Sequence, residues 1–295
     1  MRQPRLFSPD ILQRFLFEDN AVRGELVHLD ATYRAIRDTH DYPPAVRALL
    51  GQTLVASALL SGSIKAHDSL IVQVQASGPV HLLVAQCTSR RSLRGVARWS
   101  GEVEPGDLEA LCGPGRLAIT IDPGQGHDRY QGLVALSGKS IAAAIETYFT
   151  QSEQLPTRLW LACDGERAAG MLLQSLPGKR SDPDAWNRVQ HLADTVTGRE
   201  ILELSVEELR RRLFHEEDVR VFEPERATFR CTCSRETIGA VLRSLGRAEV
   251  EEALAEQGEL AVTCEFCNRR YVFDPVDVEA VFTGEAPLQA PKTRH

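Results

Sequence analysis

Four cysteines near the C-terminus, Cys231, Cys233, Cys264 and Cys267, spell C-x-C, a gap of thirty residues, and then C-x-x-C. Thiolate pairs at such spacings, on two segments that fold back on each other, can share one metal ion. Zinc takes four ligands tetrahedrally at about 2.3 Å from sulfur, which sets the sulfurs roughly 3.8 Å apart. A soft, all-thiolate donor set selects zinc over magnesium or calcium. The surrounding module is about sixty residues long, small enough to need such a staple. Two roles stay open at this point. Most closed four-cysteine sites only hold a fold together, yet each pair here is also close enough in sequence to close a local disulfide once the metal leaves.

The chain of 295 residues, 43% hydrophobic and 25% charged, has room for one large core beside that module. Charges interrupt every apolar stretch of the first twenty residues, and no run approaches membrane-spanning length, so the sequence reads as a soluble cytosolic protein. Seven cysteines is an odd count, and Cys87, Cys112 and Cys163 lie scattered without paired spacing. That pattern fits reduced thiols with one metal cluster rather than a secreted disulfide framework. A net charge of −7 gives no general attraction for nucleic acid or anionic membrane.

Residues 1–178 alternate between strand-like and helical segments. Strands are expected at 21–29, 69–76, 80–86, 93–99, 116–121, 130–136, 157–162 and 168–173, and helices at 44–60 and 140–150. Short turns join several of the strands, so antiparallel pairing dominates and the class is α+β: a mostly antiparallel-sheet N-terminal domain with packed helices. Turn formers accumulate from Leu176 to Pro183 and mark a boundary. Between Lys179 and Arg230, 22 of 52 residues are charged, so this middle segment is expected to be helical with thin apolar stripes. One stripe carries Trp186, Val189, Leu192, Ala193 and Val196. The other begins at Ser205, capped with Glu208, and carries Val206, Leu209, Leu213 and Phe214. Such helices depend on docking, and their local unfolding is cheap.

A small four-cysteine zinc-binding module is expected over 231–287, with a tail at 288–295. There Ala227, Phe229, Cys231 and Cys233 alternate as a strand. Ser234 caps a helix with Ile238, Val241, Leu242 and Leu245 inward, and Val250 and Leu254 mark a second helix ending at Gly258. Leu260–Val262 and Arg270–Phe273 then flank the second thiol pair, and Asp274-Pro275 opens a last helix.

Other motifs are weaker. Leu136 to Ser140 has the strand, Gly-Lys-Ser, helix setting of a P-loop, but Leu133 stands where the first glycine is required, so a turn and a helix N-cap at Ser140 explain it better. No H-E-x-x-H or G-x-S-x-G is present. Gly124 to His127 reads as a loop and His215 as a helix C-terminal residue. No enzyme active site emerges. From Cys231 to His295 seven basic residues face eleven acidic ones, which argues against a nucleic-acid reader.

The run Cys231-Thr232-Cys233-Ser234-Arg235-Glu236, with Cys264-Glu265-Phe266-Cys267 and Tyr271-Val272-Phe273, resembles the redox-switch domain of the 33-kilodalton heat-shock protein family, redox-regulated holdase chaperones of bacteria. Phe17 to Leu26, Tyr130 to Gly132, Ser152 to Arg158 and Ala169 to Gln174 resemble stretches of that family in the same order. The resemblance therefore spans nearly the whole chain. Asn268 stands where the family often has glycine, and asparagine also tolerates a left-handed turn.

The resemblance implies one Zn2+ per chain held by Cys231, Cys233, Cys264 and Cys267 in a reduced form that is a weak chaperone. Oxidation would form Cys231–Cys233 and Cys264–Cys267 disulfides, release the metal and unfold the module and then the middle segment. The apolar surface so exposed would hold unfolding client proteins without ATP, as a homodimer by the family's example, before handing them to ATP-dependent refolding chaperones. Trp186, Val189, Leu192, Leu209, Leu213 and Phe214 are the candidate client-binding residues. The competing readings are a zinc-ribbon nucleic-acid-binding module with structural zinc and a thiol-disulfide enzyme using the C-x-x-C pair.

Overall fold

Ile11–Phe17, rich in Leu and Phe, and Val22–Leu29, rich in Leu and Val, pair as an antiparallel hairpin, β1 and β2. In this computed structural model, which describes residues 10–18, 20–65, 68–124, 128–178 and 181–283, the chain divides into two compact units, Met1–Arg230 and Cys231–His295. The hairpin opens the first unit and is followed by α1 (Ala31–Arg37) and α2 (Pro44–Leu60). Three strands come next, β3 (Ser69–Ala76), β4 (Val80–Thr88) and β5 (Ser92–Trp99), then α3 (Leu108–Cys112), β6 (Gly115–Asp122) and β7 (Tyr130–Ala135). Helix α4 (Ile141–Tyr148) leads to β8 (Thr157–Cys163) and β9 (Ala168–Ser175). The charged middle of the chain forms α5 (Ala185–Ala193), α6 (Gly198–Glu203) and α7 (Val206–Phe214), then three short strands, β10 (Val219–Val221), β11 (Glu225–Arg226) and β12 (Thr228–Phe229).

These strands make two sheets. The first runs β10-β1-β2-β9-β8 with β11 also on β1, and the second runs β12-β5-β4-β3-β6-β7. Pairing is antiparallel except that β12 lies parallel to β5. Helix α2, apolar nearly all round as its sequence requires, touches strands of both sheets and buries twelve of its residues. Leu12, Val27, Leu29 and Leu172 of the first sheet join that core.

The period-2 alternation of a strand sends neighbouring side chains to opposite faces, so the other face of the same sheet carries Phe15, Phe17, Val22, Leu26, Met171 and Leu173. Helices α5 to α7 cover this face with Val189, Ala193, Ile201, Leu209, Leu213 and Phe214. Phe15 pairs across the hairpin with Gly24, where any Cβ would collide with the Phe15 ring. The middle segment thus packs within the first unit as the lid on an aromatic sheet face.

The second unit holds α8 (Arg235–Leu245), α9 (Arg247–Gln257), the hairpin β13 (Leu260–Thr263) and β14 (Arg270–Phe273), and α10 (Pro275–Thr283). Its core is thin: among the described residues its buried apolar cluster is Ile238, Leu242, Val250, Leu260, Phe273 and Val278. Residues 284–287 of the expected module, the tail at 288–295 and most of the Gly124–His127 loop lie outside the described residues.

Two expectations need correction. Val241 and Leu245 do not point inward but are 49% and 52% exposed, because the small core seats only the Ile238–Leu242 side of α8. The strand expected from Ala227 to Cys233 shrinks to Thr228–Phe229, because the chain pairs with β5 only at Ser92 and Leu93 and makes its last bond to it where Arg230 N–H donates to Leu93 O. Alternation alone cannot extend a strand without a neighbour to bond.

Candidate metal centre

Cys231 and Cys233 lie in extended chain just before α8, whose N-cap Ser234 accepts a hydrogen bond from Thr237 N–H, as the sequence suggests. The cap fixes where the helix begins and leaves both thiols outside it. The second pair sits where β13 turns into β14. Asn268 N–H donates to Cys264 O at 2.8 Å and Cys264 N–H to Arg269 O at 2.9 Å, closing a tight knuckle around Cys267. Asn268 takes φ 56°, the left-handed region that asparagine adopts more readily than other non-glycine residues. Arg235 braces the two halves: it donates to Val272 O at 2.8 Å, stacks 4.4 Å above the Phe273 ring and pairs with Asp277 at 2.5 Å.

The four Sγ atoms all lie within 4.8 Å of one another. Cys231 and Cys264 sulfurs are 3.6 Å apart, Cys233 and Cys267 sulfurs 3.3 Å, and the Tyr271 hydroxyl donates to Cys233 Sγ at 3.2 Å. These separations approach the edge of a tetrahedral thiolate site. Cys264 is buried and the others half-buried. Four thiolates so close would repel one another strongly without a cation, so with no ion bound the cluster keeps protons. Burial pushes Cys267 up to about 12 and raises Cys231. Burial also opposes ionisation of Cys233, but the bonds from Tyr271 and the neighbouring thiols outweigh it and bring this thiol down to about 7. The donor set, its spacing and one readily ionised sulfur suit a soft divalent cation.

The candidate client-binding residues lie elsewhere, in the first unit. Val189, Leu209, Leu213 and Phe214 are buried under the lid, and Trp186 and Leu192 pack at its margin. Facing them are Phe15 and Phe17, whose rings sit 5.8 Å and 5.1 Å from that of Phe214. Sequence reading passed over both, although the aromatic-rich apolar residues of Ile11–Phe17 were their signal. Cys87, Cys112 and Cys163 stand apart in the first unit with thiols raised by burial, the first two to about 11. Ser140 caps α4, with Gly138 at φ 86°, and His215 is the C-cap of α7. Among the described residues no helix is long and apolar enough to cross a membrane.

Comparison with known proteins places this geometry in context. A family model described as Hsp33 protein matches residues 10–274. A relative named 33 kDa chaperonin from Nitrosococcus oceani is 52% identical, covering 97% of this chain and 99% of its own length. One of the same name from Methylobacillus flagellatus is 47% identical over the same shares. The crystal structure of the 33 kDa chaperonin from Thermotoga maritima superposes with a TM-score of 0.81 over 94% of this chain and 99% of that one, at 22% identity, a likeness of fold.

Proposed function

The chain belongs to the Hsp33 family of chaperones, and from that premise we propose that it is a redox-regulated, ATP-independent holdase of the cytoplasm whose switch is the four-cysteine cluster. The observation that carries this reading is the gathering of all four Sγ atoms within 4.8 Å in a unit with so thin a core. Cys231, Cys233, Cys264 and Cys267 would hold one zinc ion, which when bound supplies cross-linking of the two thiol segments. In small modules such cross-linking contributes about 10–16 kcal/mol of apparent folding free energy.

Oxidation removes the ligands. Two thiols give up two electrons and two protons to peroxide, which leaves as two waters, and one S–S bond forms. The pairs proposed are Cys264–Cys267 and Cys231–Cys233, neighbours in sequence that stay within reach of each other as the unit opens. In the folded cluster the short contacts instead join Cys231 to Cys264 and Cys233 to Cys267, so closing the proposed pairs needs local rearrangement. A disulfide offers no thiolate to the metal. Without that staple the second unit loses its fold, and under unfolding conditions the docked middle helices, rich in charge, follow.

The surface released is chemically suited to unfolding proteins. Phe15, Phe17, Leu26 and Met171 on the sheet, with Val189, Leu209, Leu213 and Phe214 on the helices, form a broad apolar area that is covered in the closed protein. Clients would be held stoichiometrically, by a homodimer in the oxidised state, and passed to ATP-dependent chaperones after reduction. No turnover of a disulfide substrate is expected.

The test is light scattering from a thermally unfolding client, with this protein either reduced and zinc-loaded or treated with warm peroxide, while released zinc is followed in the same sample. Suppression only after treatment, with about one zinc lost per chain, is the expected result. Equal behaviour in both states would leave the cluster a structural staple and overturn the switch.

A further inference from the structure

Between α7 and Cys231 the chain does not simply link two units but is stitched across both sheets of the first. Glu18 N–H donates to Asp218 O, Phe222 N–H to Arg14 O and Ala227 N–H to Asp10 O, all on the first-sheet side. Thr228 N–H then donates to Arg91 O and Arg230 N–H to Leu93 O, on the second. Residues 218–230 therefore form a strap whose last bonded residue immediately precedes the first cysteine.

One side chain anchors this strap from below. Arg91 occupies the turn between β4 and β5 at φ 58° and is 5% exposed. Its Nε and Nη2 donate to Glu225 Oε2 and Oε1 at 3.0 and 3.1 Å, a two-pronged ion pair. Its Nη1 donates to Ser61 O and Oγ at 2.7 and 2.9 Å, at the C-terminal end of α2. Arg14 of β1 adds a contact to Glu225 at 3.4 Å. One guanidinium thus joins the β4–β5 turn, the central helix and the strap, and a buried cation that loses its carboxylate is left uncompensated.

We propose that Arg91 and Glu225 form a latch that stops loss of the C-terminal unit from spreading to α5, α6 and α7, so that this pair sets the threshold for uncovering the aromatic face of the first sheet. When the second unit opens, the two-residue strand β12 is the first part of the strap exposed to fraying. The next holds are the buried Ala227, whose N–H donates to Asp10 O, and then the ion pair of Glu225 on Arg91. Beyond it, short pairing, the part-exposed Arg220–Glu18 and Arg158–Asp194 ion pairs and the apolar cover keep β10 and the lid helices in place. The latch makes activation depend on two events, opening of the metal module and release of this pair. The inference rests on the reading that uncovering that face activates the protein.

The experiment strips the metal from the reduced full-length protein with a chelator and follows backbone hydrogen exchange in residues 185–229, in β3 to β6 as an internal standard, and client aggregation in parallel. Wild type is expected to keep protection in the lid after stripping. Glu225→Gln should lose about tenfold or more of it, an estimate tempered by the part-exposure of Glu225, while β3 to β6 stay protected. Glu223→Gln, a nearby charge removal, should behave as wild type. Lid protection in Glu225→Gln equal to wild type overturns the latch. If that variant loosens the whole first unit, Arg91→Lys decides, since it keeps the cation but loses the fork: selective loss of lid protection supports the latch, and anything else overturns it. A lid that opens in Glu225→Gln without suppressing client aggregation leaves the latch standing and refutes the holdase reading instead.

Discussion

Tyr271 touches the thiol cluster without being one of its four cysteines. Its hydroxyl bond to Cys233 Sγ helps bring that thiol down to about 7 against burial, so Tyr271→Phe should raise it. With the metal removed, alkylation of Cys233 at neutral pH is expected to slow about threefold or more, since one pKa unit is a tenfold change in thiolate when the pKa lies above the pH. Mass spectrometry of each cysteine over a pH series checks this, and an unchanged profile would show that the neighbouring thiols alone set it. Cys264→Ser removes the buried thiol of the four. Zinc binding should weaken by orders of magnitude and the second unit should melt, read as loss of exchange protection in α8 to α10 with the first unit intact. The gathering of the four thiols was legible in the sequence because their spacing implies it. Tyr271 was not, because only the register of β13 on β14 brings it to Cys233.

At the scale of elements, the lid is held mainly by apolar contact, with part-exposed ion pairs such as Arg158–Asp194 at its margin. Phe214 fills the aromatic cluster with Phe15 and Phe17, and Phe214→Ala is expected to cost about 3–5 kcal/mol. The lid should then open with the metal still bound, seen as faster exchange in α5 to α7 at unchanged zinc content. Lysine at Val241 or Leu245, both about half exposed, should alter stability by less than about 0.5 kcal/mol. Thermal melts of the zinc-loaded protein separate these cases. The capping box of Ser205 and Glu208 could be read from the chain and is present as expected. Its twin, Thr197 with Glu200, starts α6 and carries the same signal, but the intervening helix is too short for a periodic stripe to announce it. Strand β1 was missed for a different reason: Arg14 interrupts its apolar run, and only pairing with β2, β10 and β11 makes it a central strand.

At the scale of the whole molecule, two buried titratable groups work against each other. Burial lifts Glu25 to about 7, despite the pull of Arg23, Arg91 and Arg14, while burial and the charge of Arg167 press His28 down to about 4. The raised carboxyl stabilises the fold fully below its ordinary value of 4.5, and this is lost as the pH rises through 7. The lowered imidazole has no effect above 6.5; from there down to about 4 only the unfolded state takes its proton, so acid costs stability. Each effect is about 3 kcal/mol. Relative to wild type, Glu25→Gln should gain stability above pH 7 and lose that gain toward pH 4.5. His28→Gln should match wild type above pH 6.5 and gain below it. Urea unfolding followed by tryptophan fluorescence measures both, since Trp99, Trp160 and Trp186 all lie in the first unit. Parallel curves for wild type and either variant would refute the assignment for that residue.

The sequence by itself determined the four-thiol centre, the α+β class and the docked nature of the charged helices, because ligand spacing, period-2 alternation and capping are local properties of the chain. Only the tertiary structure decided what those helices cover and how the strap to Cys231 is fastened. Phe15 meets Phe214, and Arg91 meets Glu225, across separations of 199 and 134 residues. Contacts of that range leave no periodic trace in a sequence; they exist only once two sheets and the helix between them have set the distances.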